Sequence, residues 1–228
     1  MHTKYLDVFQ ICDSTFPIGT FNHSYGMESY LRDNRIDNSP TFEAWLNAFL
    51  KTQYTYGEGL LCKLVFEALK KNQQDDIWKY DRLITVSTTS KETREAAKLV
   101  SFRMIELLLA LEDDSLLRIY QEKINSGEVF GNPAIVYAIA MREKDLSVDE
   151  MIVFYGYSLV STMVQNAVRA VPLGQIDGQL IVKRSFDTLN NIAEIISSLD
   201  DSTLGANSPG IELSQVQHET QVFRLFMS

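Results

Sequence analysis

The sequence predicts an all-α, single-domain helical bundle of roughly ten helices with a C-terminal tail. Three observations predict it. Apolar residues recur at spacings of three and four along most of the 228-residue chain. Ser, Thr, Asp or Asn stands before most of these runs, and Gly or Pro after many of them. No run alternates as a half-buried strand would, and no fixed-period repeat is visible. At 45% hydrophobic residues, core material is ample. The bundle is expected over 1–204, with 205–228 as a hinge and tail of the same domain.

In chain order, Tyr5 to Cys12 reads as one or two helical turns. Pro17 and Gly19 set an irregular turn within Asp13 to Ser24. A helix then runs to Asp33, with Tyr25, Met27, Tyr30 and Leu31 on its apolar face. Ser39 and Pro40 read as an N-cap and first helical residue, opening a helix through Phe42, Trp45, Phe49 and Tyr54. Gly57 and Gly59 break or bend it before Leu60 to Lys71 resumes the pattern. Asp75 and Asp76 start the next helix, and Thr89 with Glu92 has capping-box spacing before a long helix to Leu111. Asp113 or Asp114 caps another, and Asn132-Pro133 opens one ending near Lys144.

The stretch from Ser147 to Gln179 is expected to be the organising element. Ser147 and Glu150 form a capping box. The apolar residues from Val148 to Val168 wrap most of the helix, which places it inside a bundle. Ser158, Ser161, Gln165, Asn166 and Arg169 interrupt the run, so it is not a membrane span. Gly156 leaves room for a close helix neighbour, and Pro172 and Gly174 end the helix. A further helix covers Ile176 to Leu199, and Gly205 to Gly210 reads as a loop or hinge.

The net charge of -9 argues against general nucleic-acid binding and against an anionic membrane surface. No secretory signal is visible, so Cys12 and Cys62 are expected to be free buried thiols in a reducing cytosol. His2, His23 and His218 do not pair at metal-ligand spacing, although His2 could bind a metal weakly. The acidic pairs Asp75-Asp76, Asp113-Asp114 and Asp200-Asp201 raise a magnesium-dependent helical enzyme as a rival. Each pair sits at a helix boundary, where Asp is favoured as a cap. The segment PLGQIDGQ lacks the Gly-Lys-Ser/Thr ending of a phosphate loop, and Ser158 and Ser161 have no evident His and Asp partners.

Four separated motifs resemble the UreF family of urease accessory proteins. They are DSTFPIGTFNHSYGMESY at 13–30, KETREAAK at 91–98, the central helix with VPLGQIDGQ at 171–179, and HETQVFRLFMS at 218–228. The resemblance implies an all-α, non-catalytic cytoplasmic protein that forms a homodimer and binds UreD (also called UreH). That assembly would recruit the nickel-carrying GTPase UreG and deliver nickel to the urease apoenzyme. No cofactor is expected on this chain itself, because nickel and GTP would belong mainly to the partners. Partner contacts are expected on the motifs themselves. Pro17, Gly19 and Phe21 carry the first, and Gly174 and Asp177 the interior one. His218, Glu219, Thr220, Phe223, Arg224, Leu225 and Phe226 carry the last.

A rival within the same pathway is activation of the UreG GTPase by an inserted arginine, with Arg94, Arg169 and Arg224 as candidates. The tail has two readings. It folds onto its own domain, or it leaves at the Pro209-Gly210 hinge and becomes ordered when the UreD-like partner binds. In the second reading Arg224 fixes its path through backbone carbonyls or by stacking on Phe21.

Overall fold

The computed structural model describes residues 3–206 and 208–228; His2 and Asn207 lie outside the described residues. Among the described residues there is no strand, and the chain is an all-α bundle. Helix α1 covers Thr3–Cys12, and a 3₁₀ turn at Thr20–Asn22 leads to α2, Met27–Arg32. Helix α2 is shorter than the sequence pattern suggests. Tyr25 (φ 56°) and Gly26 (φ 91°) are left-handed, which stops the helix from extending backwards.

Helix α3, Ser39–Phe49, passes through a π-helical stretch, Leu50–Gly59, into α4, Leu60–Lys70. Its cap is Asn38, whose side chain accepts from Thr41 N at 3.0 Å; Ser39 and Pro40 lie inside the helix instead of capping it. The bend falls at Gly57, whose backbone is non-helical (φ -102°, ψ -113°). At Gly59 an added Cβ would come 2.8 Å from Ile196 Cδ1, so the missing side chain admits a neighbouring helix.

Helices α5 (Gln74–Ser87), α6 (Lys91–Leu111) and α7 (Ser115–Ser126) follow. The α6 cap is Ser90, accepting from Thr93 N at 3.3 Å, one residue later than the Thr89-Glu92 pattern suggests. The acidic pairs do sit at helix starts. Asp75 and Asp76 lie in the first turn of α5, Asp114 caps α7, and Asp200 caps the 3₁₀ turn Asp201–Thr203.

The most enclosed helix is α8, Pro133–Met141. Its residues from Ala134 to Ile139 are at most 1% exposed. Helix α9, Val148–Ala170, has the Ser147-Glu150 capping box and a long buried face, but it is not enclosed all round. Val153 and Phe154 are half-buried and Tyr157 is 39% exposed. They open onto an apolar groove shared with α1 and with α10, Gln175–Ser197. Helix α11, Pro209–His218, closes the order. Pro209 and Gly210 are its first residues, so they open a helix and not a hinge, which suits Pro at a first turn. No helix among the described residues is long and apolar enough to cross a membrane.

Candidate functional site

The first and last sequence motifs meet. Helix α11 packs on α2 and α6, and the chain beyond it runs back along the turn before α2. A Cβ on Gly26 would collide with Ser214 Oγ, so only glycine allows this approach. Ser29 Oγ donates to Ser214 O at 2.7 Å and accepts from Gln221 Nε2 at 2.7 Å. Met227 N donates to Asn22 O at 2.7 Å, and Ser24 N donates to Ser228 O at 2.5 Å. Asn166 of α9 donates to His23 O at 3.0 Å, tying the same turn to the central helix.

Two carboxylates hold the tail. Glu28 of α2 is buried and accepts from Leu225 N at 2.5 Å and Phe226 N at 3.1 Å. Its Oε2 also lies 2.9 Å from His218 Nε2. Glu92 of α6 lies 2.8 Å from His218 Nδ1 and accepts from Arg224 Nη1 at 2.6 Å. Desolvation pushes the Glu92 carboxyl up, but the His218 and Arg224 hydrogen bonds together outweigh it and hold it below its ordinary value. Glu219 accepts from Lys91 N at 2.8 Å, so a tail carboxylate sits at the N-terminus of α6, where anions are favoured.

The tail is therefore docked on its own bundle, the first of the two readings of it. Arg224 donates to Gln221 O at 2.9 Å and Glu219 O at 2.7 Å, the backbone role expected of it. It does not stack on Phe21. The cation over an aromatic ring here is Arg169, 5.9 Å from the Phe226 centroid.

The docked tail still shows an apolar edge. Phe226 turns inward and is 5% exposed, whereas Val222 is 89%, Phe223 91%, Leu225 69% and Met227 59% exposed. Thr220 is exposed on the same segment. Pro17 and Phe21 are exposed on the N-terminal motif, and Gly19 is buried in a left-handed turn (φ 88°). Gly174 and Asp177 are exposed at the start of α10, as its N-cap and a first-turn acid.

Glu28 and Glu92 were not among the expected site residues. Both lie inside quoted motifs, but their convergence on His218 spans 190 and 126 residues of sequence. No local pattern encodes it. Among the described residues, no group of three or more His, Cys, Asp and Glu side chains is arranged to hold a metal ion. Cys12 and Cys62 are buried free thiols. Burial pushes Cys12 up to about 12 and Cys62 higher still, so both stay protonated at neutral pH.

A family model, UreF, matches residues 36–185. The chain belongs to the UreF family. It is 53% identical over 224 residues to the urease accessory protein UreF of Streptococcus salivarius, covering 98% of this chain and 94% of that one. The same identity and coverage hold for the UreF of Streptococcus thermophilus strain LMD-9. The UreF of Lachnoclostridium phytofermentans is 37% identical over the whole of both chains. This all-α bundle thus belongs to a UreF-family urease accessory protein.

Proposed function

We propose that this UreF-family protein is a non-catalytic cytoplasmic scaffold of urease maturation. It binds UreD (UreH), recruits the GTPase UreG, and supports nickel insertion into the urease apoenzyme. Nickel and GTP are then bound mainly by the partners. The observation that carries this reading is the tail: its backbone is tied to the bundle while Val222, Phe223 and Leu225 point away from it. A pre-ordered apolar edge loses little conformational entropy on binding, which favours its use as a docking element.

The arginines also favour a scaffold over GTPase activation. Arg94 donates to Thr88 O at 2.6 Å and Thr89 O at 2.9 Å, Arg169 lies over Phe226, and Arg224 is paired with Glu92. Using any of them as an inserted finger would break contacts of the fold. A second apolar face supports a homodimer. Leu6 and Phe9 on α1 are each 63% exposed, and Phe9 lines one groove with Tyr157 and Phe186, whose rings lie 6.3 Å apart. Co-purification of the full chain with tagged UreD and UreG tests the scaffold, and UreG turnover with and without this protein tests the alternative. Retention of both partners with unchanged turnover is expected. Failure to retain either partner refutes the scaffold, and stimulated turnover supports GTPase activation.

A further inference from the structure

Two small cavities lie inside the bundle and share a wall, because Tyr25 and Leu159 line both. The smaller, of about 30 Å³, is lined by Tyr137 of α8 and Tyr155 of α9. Tyr137 is 1% exposed, and its hydroxyl has no good hydrogen-bond partner among the described residues. The Cys12 thiol beside it is only a weak one. The larger cavity, of about 80 Å³, is lined by Gln53 and Glu58. Gln53 Oε1 is shielded from solvent and accepts no hydrogen bond from the described residues. Gln53 and Glu58 both belong to the π-helical stretch, at the i, i+5 spacing of its hydrogen bonds. Tyr155 joins the two cavities: it lines the smaller one, and its hydroxyl donates to Glu58 Oε2 at 3.1 Å.

Buried polar atoms are normally paired, with protein or with ordered water. A water takes up about 30 Å³ in the liquid and needs two to four polar partners, whereas purely apolar cavities stay dry. The smaller cavity has the volume of one water, and the larger has room for about two. We propose that ordered water fills both cavities and joins Tyr137, Tyr155, Glu58 and Gln53 into one buried hydrogen-bonded network. In the smaller cavity a water accepts from the Tyr137 hydroxyl and donates to the Tyr155 oxygen, whose own proton goes to Glu58. In the larger a water donates to Gln53 Oε1 and meets the second Glu58 oxygen. A metal ion suits neither site. Arg94 lines the larger cavity, and the smaller offers hydroxyls and a thiol that burial keeps protonated. A fully satisfied polar network fixes one arrangement of the elements that share it. Here it ties α8, α9 and the π-helical stretch together where apolar packing alone would leave polar atoms stranded. The network rests only on contacts within this chain and is independent of the scaffold reading above.

The test is a high-resolution crystal structure of the full chain, with magnetic relaxation dispersion of water oxygen-17 in solution to count long-lived internal waters. One water is expected within hydrogen-bond reach of both the Tyr137 and Tyr155 hydroxyls, and another within reach of Gln53 Oε1. Tyr137→Phe should remove the first and Gln53→Leu the second, each lowering the long-lived count by about one, since each deletes a polar partner the water needs. Dry cavities overturn the proposal, as does water in one cavity only, because the network is then broken. A metal ion or a side chain filling either site, or a water count unchanged in both folded variants, overturns it as well. If a variant does not fold, the wild-type density still decides.

Discussion

Gly156 of α9 lies against Tyr54: a Cβ at Gly156 would stand 3.0 Å from the Tyr54 hydroxyl and 2.6 Å from Leu189 Cδ2. The same hydroxyl donates to Ile152 O at 2.5 Å. The π-helical stretch and α10 thus both close onto α9 where it has no side chain. Gly156→Leu should overpack this contact and lower stability by about 1–3 kcal/mol. Gly156→Ala should cost less, because Leu189 can give way and alanine regains about 1 kcal/mol of helix propensity. Thermal melts of the two variants measure this, and an unchanged Gly156→Leu melting temperature would refute the close approach.

The carboxyl of Glu58, in the same stretch, is pushed up to about 7 by desolvation, offset in part by the Tyr155 hydroxyl, which donates to it at 3.1 Å. Between its ordinary 4.5 and about 7, the unfolded chain has released this proton and the folded chain has kept it. The group's contribution is therefore full below the ordinary value, falls as pH rises through that window, and is flat above it. Glu58→Gln keeps an acceptor for Tyr155 and removes this loss. It should match wild type at about pH 4 and exceed it at about pH 8 by on the order of 1–3 kcal/mol. Urea midpoints at the two pH values measure it; parallel pH dependence in both proteins would count against a half-buried Glu58 that keeps its proton on folding.

Asp81 is 0% exposed and accepts from Phe130 N at 2.7 Å, Gly131 N at 2.9 Å and the Tyr120 hydroxyl at 2.5 Å. It anchors the turn that leads into α8. Asp81→Ala strands these buried donors and should cost about 2–5 kcal/mol, given 1–3 kcal/mol for each group left unpaired. For a chain of this size the melting temperature should fall by roughly 2–4 °C per kcal/mol. A loss of under about 0.5 kcal/mol, the scale of an ordinary surface substitution, would show that the turn does not depend on it.

Phe9 tests the proposed homodimer. At 63% exposed it contributes little to the monomer core. Phe9→Asp should leave the melting temperature within the scale of a surface change, about 0.5 kcal/mol. If the α1/α9/α10 face joins two copies, light scattering of the variant should show monomer where wild type shows dimer. An intact dimer in the variant would place the contact elsewhere.

Much of the fold was legible because its signals are local. The Ser147-Glu150 box, the Asn132 and Asp114 caps, and the bend at Gly57 and Gly59 each depend on a few neighbouring residues. Two caps fell one residue away, at Asn38 and Ser90, because adjacent Ser, Thr and Asn compete for the same role. Apolar content wraps most of α9 and suggests a central buried helix, but it cannot distinguish core from an apolar surface groove, and α8 is the better-buried helix. The site was legible only as separate motifs. Glu28, Glu92 and His218 meet through tertiary packing, which sequence spacing does not record. The tail's apolar end left two readings open, because composition does not say which apolar residues face inward; Phe226 and the backbone bonds fasten the tail and leave one edge outward.

That outward edge is where the account is most exposed to test. Val222→Ser, Phe223→Ser and Leu225→Ser together remove it without touching the Glu28 and Glu92 contacts, which are made by backbone, His218 and Arg224. Each substitution is at an exposed position and should change stability by no more than about 0.5 kcal/mol. A pull-down with tagged UreD and UreG, run beside circular dichroism, is the deciding measurement. The account predicts a folded variant whose retention of UreD falls at least about tenfold, as expected when interface anchors are lost, with UreG recruitment lost alongside it. A folded triple variant that still assembles both partners as wild type does would contradict it.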